Sequence, residues 1–339
     1  MTSSFTPPQD LKVAVLLATF NGARFVEQQI KSLAQNVTPF TLHWLDDHST
    51  DDTRQIVRAA AQDLALREWH QDERQFLPGA FFQLLECVAA DIYFFCDQDD
   101  IWQPGKIDAA VANLVPDLAV PVLCFSDSLM FYDDEPDIVR ALSEAYDSKP
   151  PKALQESRTF TTVIAPGHTQ CFTRPLRELF LRHKSTARAY ARNHDAWMYL
   201  IANAAGTARM LFNVPTALYR QHDNNVTAAL RSRNGKRLDR RTLTLKQHQV
   251  LRRRTARHAQ GFLIAAPTLT GATGAVTSPA GAPSGKLERL VTLARRVATL
   301  DRRQSVTELV SFARSGALWP NKRWAVGFAV ACLWSDANS

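Results

Sequence analysis

Apolar runs of strand length alternate along this chain with stretches whose apolar residues recur every three or four positions. Val13 to Leu17 is continuously apolar, the mark of a strand buried on both faces and hence of a parallel sheet. It breaks at Thr19-Phe20-Asn21-Gly22, after which Phe25, Val26, Gln29, Ile30, Leu33 and Ala34 fall at helical spacing. A second strand over Thr41–Leu45 runs into Asp46-Asp47, and a helix follows to about Leu64. Leu66–Trp69 reads as a short third strand, Pro78-Gly79 opens a helix through Ala90, and Asp91–Cys96 is a fourth strand that ends in Asp97-Gln98-Asp99-Asp100. The series continues with a helix to about Leu114, a strand over Val120–Phe125, a polar surface excursion at 132–158 and a strand over Phe160–Ala165. Helices over Pro175–His183 and Asn193–Gly206 come next, then short strands at Met210–Val214 and Thr216–Arg220. Strands alternating with helices predict βαβ units and a Rossmann-like, mostly parallel α/β sheet.

In open α/β sheets ligands lie outside the carboxyl ends of the strands. Here three such ends carry polar groups: Thr19/Asn21, Asp46/Asp47 and Asp97/Asp99. Residues two apart in extended backbone point the same way, so Asp97 and Asp99 can present carboxylates to one point while Gln98 faces elsewhere. Carboxylates so placed suit Mg²⁺ or Mn²⁺ with positions left for diphosphate oxygens. The same acids equally fit a solvated turn capping the next helix, and Asp46/Asp47 equally fit N-cap chemistry. Neither a Gly-rich dinucleotide fingerprint nor a phosphate-cradling P-loop is present, which counts against an NAD enzyme and an ordinary kinase or ATPase.

Composition places the chain among ordinary globular proteins: 339 residues, 45% hydrophobic, enough for one large core with an appendage. Five cysteines with no CxxC pair predict reduced thiols and a cytoplasmic setting. No secretory pattern is visible at the N-terminus, and the apolar run Trp324–Trp334 is too short to span a bilayer. Charge divides the chain more sharply. Residues 230–339 carry 20 basic against 5 acidic side chains, net +15, whereas residues 1–229 hold 20 against 28, net −8. This predicts a catalytic domain over 10–230, a basic helical segment over 231–264, a low-complexity linker over 265–285 and a basic amphipathic tail over 286–339. In the tail Leu287, Leu290, Val291, Ala294, Val297 and Ala298 form an apolar stripe flanked by arginines. Such a helix lies on an anionic membrane surface or packs against the catalytic domain.

Five segments together resemble the inverting family 2 glycosyltransferases, nearest to the bacterial rhamnosyltransferase-like branch. They are VAVLLATFN (13–21), LDDHSTDDT (45–53), FCDQDDIW (95–102), HDAW (194–197) and YRQHDNN (219–225). The resemblance covers about residues 10–228 and implies a GT-A-type nucleotide-diphospho-sugar-binding sheet, to which the basic helical C-terminal extension is added. It implies that Thr19, Asn21 and Asp47 bind the donor nucleotide, with Asp97 on ribose or metal. Asp99 and His222 would be further ligands of Mg²⁺ or Mn²⁺, Asp195 the catalytic base, and Trp102, His194 and Trp197 candidates for the acceptor or sugar pocket. The expected partners are a nucleoside-diphosphate sugar and a glycan or lipid-linked acceptor at the inner face of the plasma membrane; no nucleic acid is expected, because the basic tail has few interleaved aromatics. Two segments depart from the family pattern. Gln75–Leu84 is apolar where an Asn- and Gly-rich loop is usual, with Phe81 at a commonly polar position, and Pro166–Gln170 stands where a Gly-Cys-Thr-like run is common. A nucleotidyltransferase is the nearest enzymatic rival, and it usually brings a Gly-rich phosphate loop.

Overall fold

The computed structural model describes residues 7–133, 135–141, 160, 165–211, 216–222, 225, 245–269 and 284–299. Its centre is a seven-stranded sheet in the order β10-β6-β9-β4-β1-β2-β3. The strands are β1 (Val13–Thr19), β2 (Thr41–Asp46), β3 (Leu66–Trp69), β4 (Ile92–Cys96), β6 (Val122–Phe125), β9 (Cys171–Thr173) and β10 (Thr207–Met210). Pairing is parallel from β4 through β1 and β2 to β3 and between β6 and β10, while β9 runs antiparallel to both β4 and β6. The expected mostly parallel sheet is therefore present.

Continuous apolar strands follow from two cores, one on each sheet face. Val15 and Leu17 of β1 point into one, Ala14 and Leu16 into the other. Helices α1 (Val26–Leu33), α2 (Thr53–Ala60) and α4 (Lys106–Leu114) cover the first face. On the second lie α3 (Phe76–Cys87), α5 (Arg174–Arg182), α6 (Lys184–Tyr190) and α7 (His194–Ala205). A second sheet, β5-β11-β7-β8, is built from β5 (Ile101–Trp102), β7 (Leu129–Tyr132), β8 (Glu135–Ala141) and β11 (Ala217–Gln221). The β7–β8 pair extends into what the sequence suggested was a surface excursion. The strand expected at Met210–Val214 is instead β10, ending at Met210; residues 212–215, and 161–164 of the strand expected at Phe160–Ala165, lie outside the described residues.

Two long helices close the chain's described part, α8 (Leu245–Leu269) and α9 (Ser284–Ala298). They correct one expectation and decide between two alternatives for another. Helix α8 runs past residue 265 to Leu269, burying Ala265, Ala266 and Leu269, so the first residues of the linker expected over 265–285 are helical. Alanine is the strongest helix former, and an Ala-rich composition read as linker becomes a helix once a core accepts it. The stripe of α9 is internal: Leu290, Ala294 and Val297 are fully buried against α7 and α8, with Leu287, Val291 and Ala298 partly buried beside them. Burial of each large apolar side chain contributes roughly 1.5–3 kcal/mol, so this face is not available to a bilayer. Among the described residues no helix is long and apolar enough to cross a membrane.

Candidate active site

The sheets meet at Asp97-Gln98-Asp99-Asp100, which carries the chain from β4 of the large sheet directly into β5 of the small one. Gln98 points back and holds the peptide of Phe20: its Oε1 accepts the Phe20 N–H (2.9 Å) and its Nε2 donates to the Phe20 carbonyl (3.1 Å). Gly22 is required there, since a Cβ would lie 2.3 Å from the Gln98 oxygen. Asp99 Oδ2 is 2.8 Å from Nε2 of His222, just beyond β11. Asp100 is fully buried; its Oδ1 accepts the Arg220 N–H (3.1 Å), while its Oδ2 has no hydrogen-bond partner and lies 3.5 Å from His168 Nδ1. One ligand atom each from Asp97, Asp100 and His168 falls within 4.8 Å of the other two. Arg220 braces the turn from outside, donating to the Asp99 carbonyl and to Asp133.

Electrostatics sets this turn apart. Burial, and then the charges of Asp99 and Asp195, push the Asp97 carboxyl up to about 8. Burial with the charges of Asp99 and Asp97 raises Asp100 as well. So many carboxylates ionise together only beside a cation. Beneath them lies Lys106, 4% exposed, 3.8 Å from the Trp102 ring centroid and donating to the His168 carbonyl; burial lowers its ammonium to about 8. His168 is kept neutral, pushed down to about 3 by burial and by Lys106.

The resemblance implies a divalent cation here, and the residues fit one. Carboxylate oxygens and an imidazole nitrogen are suitable donors for Mg²⁺ or Mn²⁺, and the raised acids with an unpartnered buried oxygen mark a site short of positive charge. Two ligand-capable sets share the turn. Asp99 and His222 keep part of their side chains open, 18% and 9%, whereas Asp100 and His168 are closed, at 0% and 3%.

Asp195 stands in the first turn of α7 and faces the same cleft, since its charge contributes to the Asp97 shift. Its Oδ2 accepts the Gly167 N–H (3.2 Å) and its Oδ1 the Ala196 N–H (2.7 Å). Gln170 Nε2 donates to the Asp195 carbonyl (2.9 Å) and the Ala165 carbonyl (2.7 Å), locking the start of the helix to the turn before β9.

At the end of β2 the acids are differently placed. Asp46 accepts from Thr19, from the Ser49 amide and hydroxyl and from Arg54; burial opposes ionisation, but these donors outweigh it and hold the carboxyl below its usual range. The Thr19 hydroxyl also accepts from Trp44 Nε1 (2.9 Å). Asp47 accepts from Gln71 Nε2 (2.6 Å) and from the N–H groups of Gln75 (2.7 Å) and Phe76 (2.8 Å). Arg74 lies over the Phe20 ring, 3.3 Å from its centroid. Asn21 adopts φ 46°, a left-handed conformation that Asn tolerates, and its Oδ1 accepts the Thr50 N–H (2.8 Å).

The three residues suggested for the acceptor or sugar pocket are corrected. Trp102 and Trp197 are 1% and 0% exposed, and a ring enclosed by protein offers no face to a sugar. The Trp197 ring packs near His258 of α8, and His194 is wedged against Phe81 and Phe95, centroids 4.0 and 4.6 Å away. The unusual Phe81 is thus the packing partner of His194. Sequence reasoning missed Lys106, His168 and Arg220 and named Asp100 without a role. Their only local signal is a position shortly after the acid motif for Lys106, in the atypical Pro166–Gln170 segment for His168, and in the 219–225 segment for Arg220.

Residues 14–175 match the sequence pattern of glycosyl transferase family 2. Over 230 residues the chain is 27% identical to the dTDP-rhamnosyl transferase RfbG of Shigella flexneri, covering 63% of this chain and 74% of that one. Crystal structures of S. aureus TarS 1–349 with UDP and with UDP-GlcNAc superpose with TM-scores of 0.52 and 0.50. Their identities are 16% and 15%; each alignment covers 97% of this chain, and 92% and 93% of the respective TarS chains. The fold is therefore of the GT-A type, and residues 14–175 within the α/β region carry the pattern of a glycosyltransferase family 2 domain.

Proposed function

We propose that the protein moves a deoxyhexosyl or hexosyl unit, rhamnose being the first candidate, from a nucleoside-diphosphate sugar to a hydroxyl of a cell-surface glycan or lipid-linked acceptor, with inversion. The observation that carries this reading is the placement of Asp195 in one cleft with the Asp97–Asp100 turn, close enough that its charge helps to hold a proton on Asp97. A base and a diphosphate-binding acid cluster on opposite sides of one space are what a single in-line displacement needs. Asp195, oriented by the Gly167 and Ala196 N–H groups, takes the proton from the attacking hydroxyl. Asp97, Asp99 and His222 hold Mg²⁺ or Mn²⁺, the partly open pair Asp99/His222 leaving room for an ion that enters with a diphosphate. When bound, that ion stabilises the negative charge of the departing diphosphate.

Thr19, Asn21 and Asp47 line the nucleotide side. Asp47 is already held by Gln71, Gln75 and Phe76, so it accepts a base N–H only when the 71–76 loop shifts. Rhamnose and a dTDP carrier are favoured by the likeness to RfbG, whose name states that donor; TarS, which binds UDP and UDP-GlcNAc, supports the wider class of nucleotide sugars. The exposed arginines of α8 and α9, among them Arg253, Arg254 and Arg295, support peripheral contact with an anionic membrane at its inner face through charge alone, since the apolar stripe is occupied. A thermal-shift panel of nucleotide sugars, with and without Mn²⁺, tests the reading. dTDP-rhamnose with Mn²⁺ is expected to raise Tm and to release dTDP on turnover; a panel in which no nucleotide sugar does either rejects it.

A further inference from the structure

A short turn, Pro166–Gln170, touches both halves of the site. Toward the acids, His168 Nδ1 lies 3.5 Å from Asp100 Oδ2. Toward the base, Gly167 N–H donates to Asp195 Oδ2 (3.2 Å) and Gln170 Nε2 to the Asp195 carbonyl (2.9 Å). Its fixed point is Lys106, whose ammonium donates to the His168 carbonyl from the first turn of α4 while resting on Trp102. A buried lysine is costly, and this one meets the backbone rather than a carboxylate oxygen. Beside it lies a cavity of about 170 Å³ lined by Lys106, Thr169, Cys171, Ser126, Thr216 and Phe94 among others, so on that flank the turn faces space rather than packed side chains.

We propose that Lys106 is a positioning residue: through the His168 carbonyl it holds the 166–170 turn as a strut that fixes the separation of the catalytic base Asp195 from the acid turn. The proposal rests on the role of Asp195 given above. The same turn is held close to α7 at Gly167, where a Cβ would lie 2.6 Å from His194 Nε2, so a side chain there would push the strut and the His194 ring apart. The proposal accounts for the burial of most of an atypical segment, with Gly167, His168, Thr169 and Gln170 all enclosed.

Lys106→Met, which keeps the apolar stem and loses the donor, tests it. The strut then loses its anchor and relaxes toward the cavity, so in a crystal structure of the variant the Gly167 N to Asp195 Oδ2 contact opens beyond hydrogen-bond distance while β4 and α7 stay in place. With dTDP-rhamnose as donor and water as acceptor, kcat falls roughly 10–100-fold, the scale of a misplaced base, while the Kd of dTDP with MnCl₂ changes less than about threefold. Lys106→Arg, for which the cavity leaves room, restores a donor and recovers the larger part of kcat. A contact kept at its wild-type length in Lys106→Met overturns the proposal, as does a parallel loss of dTDP affinity and kcat, the mark of general loosening. Should Lys106→Met not fold, Gly167→Ala displaces the strut from its other end, and wild-type kcat in that variant is the overturning result. If wild-type protein turns over no nucleotide sugar, the functional reading fails, while the crystallographic contact still decides whether Lys106 holds the strut.

Discussion

Two strands of one sheet end in paired aspartates, and the pairs are in opposite states. At the end of β2, Asp46 and Asp47 are surrounded by donors from the 49–54 and 71–76 segments, and Asp46 is held in its ionised form. At the end of β4, burial, reinforced by the charges of Asp99 and Asp195 on Asp97 and of Asp99 and Asp97 on Asp100, makes both Asp97 and Asp100 hold their protons well above the usual carboxylate range. The residue type and its place at a strand end are the same; what differs is how many N–H and O–H groups the surroundings supply. A saturated pair is an anchor that shapes a loop, and an unsaturated pair is a site that waits for a cation.

The largest effect expected lies across the cleft from the unsaturated pair. Asp195→Asn keeps the shape and one of the two acceptor contacts but removes the proton acceptor, so kcat should fall ~10²–10⁴-fold with the Kd for dTDP and Mn²⁺ nearly unchanged. Single-turnover kinetics beside calorimetry separates the two quantities. A fall smaller than about tenfold would mean that another group, or water alone, takes the proton, and the contrast between an anchor end and a reactive end would lose its reactive half.

A smaller effect sharpens the contrast directly. Asp46→Asn removes a charge that Arg54 and the Ser49 donors have organised, and should destabilise the fold by about 1.5–3 kcal/mol, the scale of hydrogen bonds to a charged group. Asp100→Asn, by contrast, replaces a carboxyl whose ionised form burial disfavours, and keeps an acceptor for the Arg220 N–H. In metal-free protein at neutral pH it should leave the urea midpoint unchanged or raise it. Equal destabilisation by both substitutions would show that the two strand ends are alike after all.

Much of this was legible in the sequence where one strand carries the whole signal. Val13–Thr19 and Ile92–Cys96 are continuous and apolar because both faces are covered, Thr41–Asp46 is buried through its middle, and the polar ends of all three follow from a sheet whose ligands sit at the carboxyl edge. What escaped is long-range. His168 reaches Asp100, and Lys106 reaches His168, across 62 residues and more, and no local pattern marks a lysine on an otherwise apolar helix face as an anchor. The small sheet escaped because β5 has two residues and its partner β11 lies more than a hundred positions on. Trp197 fell at helical spacing, a pattern shared by a core residue and a cleft residue; the packing of α8 over α7 decides for the core, with Gly261 admitting the close approach of α8 to Tyr190 of α6. The stripe on α9 is the same lesson, since a helix amphipathic enough for lipid is amphipathic enough for a protein core.

The smallest effect expected is a slope with pH, and it concerns the proton that only one of the two strand ends retains. An ion that ligates Asp97 must displace the proton held there up to about 8, so below that pH the apparent Mn²⁺ affinity, measured with dTDP present, should rise as pH rises. With one proton displaced the rise is at most tenfold per pH unit, about 1.4 kcal/mol, and it should level off above pH 8. In metal-free protein the sign is the reverse. The folded state holds a proton that the unfolded chain gives up near 3.8, so Asp97 makes stability fall as pH climbs from there toward 8. Mn²⁺ should therefore raise Tm more at pH 8 than at pH 6. Asp97→Asn should flatten the slope in affinity, and Asp46→Asn, at an end already ionised, should leave it intact. Calorimetry in two buffers of different ionisation enthalpy counts the proton directly, and an affinity that is flat between pH 6 and 8 with no proton released would show that Asp97 is ionised before any ion arrives.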